Sequence, residues 1–177
     1  MNLERFLHYN LQGNEFFMKH LANLPDDNPA LPRLVPLMAH ILFAQYVWAC
    51  RIEEKNPQIL LSDLEVKPSL EKSEDKLFQS ARSSLESLTL ENRNHFTLNR
   101  YLYEIFLTYT DRDLEQLITY KNLNNEVCTN SLGDIILHVC NHGTHHRAQM
   151  ALIMRQNDIT PPASDYILFA RKGLLSL

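Results

Sequence analysis

The stretch Asp134-Ile-Ile-Leu-His-Val-Cys-Asn-His-Gly-Thr-His-His-Arg-Ala-Gln149 carries four of the chain's eight histidines: His138, His142, His145 and His146. Apolar residues recur through it at helical spacing, which predicts a helix from Asn130 or Ser131 to about Asn157. Ser131, with Asp134 three residues on, satisfies the first unpaired N–H groups in the manner of a capping box. Asp158 and the pair Pro161-Pro162 end it, since proline lacks the N–H and clashes with the preceding turn. At about 100° per residue from Ile135, Val139 falls at about 40°, Met150 at about 60° and Ile153 at about 0°. His142 (about −20°) and His146 (about +20°) share that apolar stripe, while His138 (about −60°) and His145 (about −80°) lie at its edge. Cys140, at about 140°, points away from it. Two imidazoles one turn apart on a buried face lose hydration unless their nitrogens find partners. Two arrangements supply them. One is a divalent metal, because His-x-x-x-His on a helix aims both rings at one point. The other is hydrogen bonding to other core side chains.

The rest of the chain limits what such a helix belongs to. At 177 residues it is one domain of ordinary size, with room for a real core. A net charge of −4 without a basic block argues against a nucleic-acid partner. Glu4 and Arg5 do not suit a signal peptide, and no run of 18 consecutive apolar residues occurs, so no membrane span is expected. The three cysteines, Cys50, Cys128 and Cys140, show no metal-type pairing and fit a reducing cytosol, which predicts a cytoplasmic location. Only four glycines, together with long stretches of 3.6-residue periodicity, predict an all-α fold.

Taken in order, Asn2 to about Leu24 reads as the first helix. Leu3, Phe6, Leu7, Phe17, Leu21 and Leu24 share a face with Asn10 and Asn14. Buried amides need partners, so these two either support a polar site in the core or tie helices together. Pro25 to Pro32 connects to a second helix, from about Arg33 to Lys55, whose stripe is Leu37, Ile41, Ala44 and Trp48. His40 lies about 70° from its centre: a polar neighbour at the helix edge, or a ligand within reach of the interior. Cys50 faces the other side. Gln58 to Pro68 is a longer connection. A third helical region starts near Ser69, weakens at Glu91 to Asn94 and resumes at Leu98, Tyr101, Leu102, Ile105 and Tyr109. Thr110 to Leu117 reads as a capped helical turn, with Thr110 and Asp113 as the cap. Ile118 to Lys121 and Glu126 to Cys128 form a small β-hairpin about an Asn124-Asn125 turn. After the histidine-bearing helix, Asp165 to Lys172 is a short apolar tail (Tyr166, Ile167, Phe169) that packs back across the helices.

Several of these stretches resemble one family together. Asn141-His-Gly-Thr-His-His-Arg-Ala-Gln149 is similar to the signature of the DinB-like (damage-inducible) family of metal-binding four-helix bundles. Ala39 to Trp48 with Arg51-Ile52 resembles that family's second helix, and Tyr9-Asn10 with Asn14 its first. Ile118 to Asn122 resembles the hairpin before the motif, and Ile159 to Pro162 with Asp165 to Ile167 the C-terminal segment. The resemblance implies a single domain over residues 1–177: a four-helix bundle of DinB type with a long crossover and a small β-hairpin before the last long helix, often a homodimer. It also implies a three-histidine metal site, which on this chain falls to His40, His142 and His146. The chain departs from the pattern at Gln12, where an aromatic is common, and at Ala148, where glycine is commoner. Thr89 to Thr97 reads as an insertion.

Three neutral imidazoles leave a coordination position open, as catalytic zinc sites do, and they equally suit nickel, iron or cobalt. Such an ion acidifies a bound water or thiol, and either would be the catalytic group. The resemblance favours the thiol: a metal-dependent thiol S-transferase or related detoxifying enzyme that passes a low-molecular-weight thiol to a small-molecule electrophile. A stress-associated metal-binding bundle without turnover is the alternative, with metal-dependent hydrolysis third. Gln149, at about −40°, is placed to bond a ligand or substrate. His138, His145, Asn10 and Asn14 are candidate supporting groups. Arg147 lies further round the wheel and reads as a structural ion-pair partner or an anion contact.

Overall fold

A computed structural model describes residues 3–55, 94–122 and 124–175. The connection expected over Gln58 to Pro68, the helix start near Ser69 and the Thr89 to Arg93 part of the expected insertion lie outside these residues. The elements are α1 (Leu3–Ala22), α2 (Leu31–Glu53), α3 (Asn94–Leu107), β1 (Leu117–Lys121), β2 (Val127–Ser131), α4 (Leu132–Gln156) and α5 (Tyr166–Arg171). Among the described residues the protein is mainly helical, as the periodicity predicted, with one small antiparallel sheet.

Helix α1 buries Leu3, Leu7, Phe17 and Leu21, and the same face carries Asn10 and Asn14. It packs on α2, α3 and α4. Helix α2 starts at Leu31, earlier than the prolines suggested. Pro32 stands in its first turn, where the missing N–H has no partner to lose. It ends at Glu54, whose left-handed φ of 51° turns the following N–H, that of Lys55, back to the Cys50 carbonyl at 3.1 Å. The stripe predicted for α2 is corrected. Ile41 is buried as expected, but Leu37, Ala44 and Trp48 are half-buried, and Leu34, Met38, Leu42, Ala49 and Cys50 are among the residues buried instead. Contacts with α1, α3, α4 and β1 cover more of its circumference than one stripe. Its mean hydropathy of 1.3 over 18 residues is high enough for a membrane span, but half of that window is buried inside the fold.

Strands β1 and β2 pair from Leu117↔Ser131 to Lys121↔Val127, so β2 runs three residues past its predicted end at Cys128 and leads straight into α4. Asn125 takes a left-handed φ of 62°, and the Asn122 side-chain oxygen accepts the N–H groups of Asn124 and Glu126 to close the turn. The Arg51 guanidinium lies over Trp48 and Tyr120, 4.6 and 4.7 Å from the ring centres, and donates to the Lys121 carbonyl at 3.0 Å. That clamp docks the hairpin on α2. The segment before it keeps its predicted cap, Asp113 accepting from the Thr110 N–H and hydroxyl, but forms turns and no helix.

Helix α4 opens as its capping residues predicted, with Ser131 Oγ accepting from the Asp134 N–H at 3.1 Å. It closes where Asp158 takes a φ of 58° and the Ile159 N–H returns to the Met154 carbonyl. Its buried face is broader than the predicted stripe and takes in Ile136, Cys140, Gly143, Arg147 and Met154. The cause is again double contact, with α2 on one side and α1 on the other. His142 and His146 therefore sit at the margin of the buried arc, not at its centre. In α5, Phe169 is fully buried against Tyr9 and Phe16, and the Tyr9 hydroxyl donates to the Ser164 carbonyl. Tyr166, 39% exposed, also packs back as expected, edge-on to Tyr9 at 5.2 Å, whereas Ile167 is 56% exposed.

Candidate metal centre

His40 comes from the middle of α2, and His142 and His146 come from successive turns of α4; the two helices pack directly. His142 Nε2 lies 3.1 Å from His40 Nε2 and 3.1 Å from His146 Nε2. One nitrogen from each ring falls within 4.8 Å of the others, and all three residues are half-buried. The ring centroids are 4.4 to 4.9 Å apart. Burial first, and then the neighbouring imidazoles, push the His142 pKa down to about 4. At neutral pH His142 is therefore the uncharged form that a metal requires.

The donor set fits a metal ion on its own chemistry. His146 Nδ1 donates to Gln149 Oε1 at 2.7 Å, which leaves a bare lone pair on His146 Nε2 in the neutral ring. Each Nε2 in the cluster carries either a proton or a lone pair, so three of them at this spacing satisfy one another poorly. One cation accepting three lone pairs satisfies all of them together. Nitrogens bound at about 2.0–2.1 Å to a tetrahedral ion stand roughly 3.3 Å apart, close to the two 3.1 Å separations that His142 makes.

The DinB family profile matches residues 1–173. The chain belongs to the DinB family. Among curated proteins it is 23% identical over 163 residues to Protein DinB of Bacillus subtilis (strain 168), covering 91% of this chain and 89% of that protein.

Around the triad of this DinB-family chain, the other predicted residues fall into two groups. Gln149 is exposed and bridges two histidines, accepting from His146 and donating from Nε2 to His145 Nε2 at 3.0 Å. An acceptor on Nδ1 fixes the tautomer and orientation of a ligating histidine. His145 is exposed and reaches the triad only through Gln149 and a ring contact with His146. His138 is exposed, with its ring 5.9 Å from His142 and 5.6 Å from Trp48, which in turn meets Tyr120 at 4.8 Å. Aromatic rings thus run from the hairpin to the edge of the triad.

Asn10 and Asn14 are buried in a separate cluster. Their side-chain oxygens accept from Arg147 Nη1 at 2.9 and 2.6 Å, and their amide groups donate to Gln45 Oε1 at 3.1 and 2.8 Å. Asn14 also donates to Asn99 on α3. Arg147 is 1% exposed and pairs with no carboxylate among the described residues, which corrects its reading as an ion-pair partner. Sequence reasoning missed Gln45 and Asn99. The available signal was a lone amide inside an apolar helical run, Ile41 to Ala49 for Gln45. The same cluster explains Gly143 in the histidine motif: a Cβ there would strike Asn10 Oδ1 and lie 2.9 Å from Arg147 Nη1.

Proposed function

We propose that this DinB-family chain is one four-helix bundle with a long crossover, and that His40, His142 and His146 hold one divalent transition metal: zinc, nickel, iron or cobalt. The observation that carries the reading is the meeting of three imidazole nitrogens from two helices, with His142 Nε2 3.1 Å from each of the other two. When bound, the ion supplies Lewis acidity, lowering the pKa of a thiol or water that shares its coordination sphere. The chain's own residues hold and orient. Helix α4 keeps His142 and His146 one turn apart, and Gln149 holds the His146 Nδ1 proton so that Nε2 stays free. Three uncharged donors leave the ion's double charge uncancelled, which favours an anionic exogenous ligand such as a thiolate. The reaction proposed is therefore transfer of a low-molecular-weight thiol to a small electrophile. A homodimer belongs to the same reading.

Elemental analysis of the purified protein tests the site: about one transition metal per chain is expected, and none, even after reloading, overturns it. A panel of small thiols with a chromogenic electrophile then tests the reaction. Metal-dependent colour release supports the transferase, and a loaded protein inert to the whole panel returns the chain to metal binding without turnover.

A further inference from the structure

Arg147 follows His146 directly, and Gln45 stands five residues after His40 on α2. These two polar residues meet the same pair of α1 amides. Arg147 Nη1 donates to Asn10 and Asn14, and both amides donate to Gln45 Oε1. Arg147 Nη2 donates to Thr144 Oγ1, which bonds the Cys140 carbonyl on its own helix. Asn14 reaches Asn99, and Asn99 returns to the Leu11 carbonyl. The result is a cradle joining α1, α2, α3 and α4 through Asn10, Asn14, Gln45, Asn99 and Arg147, all under 5% exposed.

We propose that the Arg147–Asn10–Asn14–Gln45 cradle sets the register of α2 against α4 and so positions His40 against the His142–His146 pair. This rests on the metal-site reading. Stability does not account for the cradle well. A buried charge is costly, and well-packed apolar side chains of similar volume often serve the fold as well or better. Among the described residues the guanidinium has no carboxylate and its Nε has no hydrogen-bond partner. Preferred helix crossing angles scatter by roughly 15–20° from one protein to another, whereas metal–ligand distances keep within about 0.2 Å. Directional hydrogen bonds between the helices fix a register that apolar packing alone leaves looser. Two glycines make room for the cradle, which is independent evidence that the helices are fitted around it. A Cβ at Gly13 would lie 3.0 Å from Arg147 Cζ, and one at Gly143 would collide with Asn10.

The test compares Gln45→Met, which removes the acceptor at similar volume, with Gln45→Glu, which keeps an acceptor for both asparagines. Cobalt(II) titration reads affinity and, through the visible absorption of the bound ion, coordination geometry. Gln45→Met is expected to lose about tenfold or more in affinity with a changed spectrum. Gln45→Glu is expected to restore both. If Gln45→Met does not fold, Asn14→Asp carries the comparison, because it gives Arg147 a carboxylate while cutting the Asn14 donations to Gln45 and Asn99. Unchanged affinity and spectrum in a variant with a lowered melting temperature would overturn the proposal and leave the cradle purely structural. A crystal structure of metal-free Gln45→Met separates this from failure of the metal reading. A His40–His142 Nε2 separation well beyond 3.1 Å supports the cradle even if the unaltered chain binds no cobalt, and an unchanged separation overturns it.

Discussion

His146 and Arg147 are adjacent in sequence and opposite in environment. His146 is half-buried at the margin of the core, with one nitrogen held by Gln149 and the other facing two more imidazoles. Arg147 carries a full charge at 1% exposure and is held by amide oxygens, a threonine and the face of Tyr9. Arg147 donates to Asn10, Asn14 and Thr144 and leaves only its Nε without a partner among the described residues, whereas the His146 Nε2 meets another imidazole nitrogen that competes for the same proton. Burial of a polar group therefore does not mark a site. A site shows where converging groups are left poorly satisfied by one another, as the three imidazoles are.

Three experiments break or sharpen that contrast. The largest effect is on metal retention. His142 is the central member, 3.1 Å from both other nitrogens, so His142→Ala is expected to abolish retention of metal after desalting. His145→Ala, which removes a ring outside the triad, is expected to keep most of it; equal loss in the two would place the site elsewhere. Next is stability. Arg147→Ala strands the oxygens of Asn10 and Asn14 and opens a cavity, which costs about 3 kcal/mol. Urea unfolding measures it, and a loss below about 1 kcal/mol would mean the cradle is solvated or redundant. The smallest effect is on pH dependence. In metal-free protein the His142 pKa is depressed from 6.5 to about 4, so between those values the unfolded chain binds more protons. Its contribution is fully present above about pH 6.5 and is lost as pH falls towards about 4. A urea midpoint that falls across this window in the unaltered chain, and falls less steeply in His142→Ala, is the expected result. Identical slopes would remove His142 as the cause.

Much of this could be read before any coordinates. Ser131 and Asp134 announced the start of α4, Asp158 and the prolines its end, and Asn124-Asn125 the hairpin turn, because caps and turns depend on residues within a few positions of one another. The His142–His146 pair was legible for the same reason: helix geometry alone puts i and i+4 on one face. His40 was not legible from its own helix, where it looked like an edge polar residue. Only resemblance proposed it, and only the packing of α2 on α4 brings its Nε2 to His142. The wheel also misjudged Arg147 and Cys50. It assumed a single buried stripe, whereas both helices are covered by neighbours on more than one side. Gln45 and Asn99 escaped for a related reason, since a lone amide in an apolar run gives no hint of a partner 31 or 85 residues away. Local order, helix ends and the histidine pair followed from short-range chemistry. The third histidine and the amide–guanidinium cradle depend on which helix faces touch, and that is settled by packing of the whole chain.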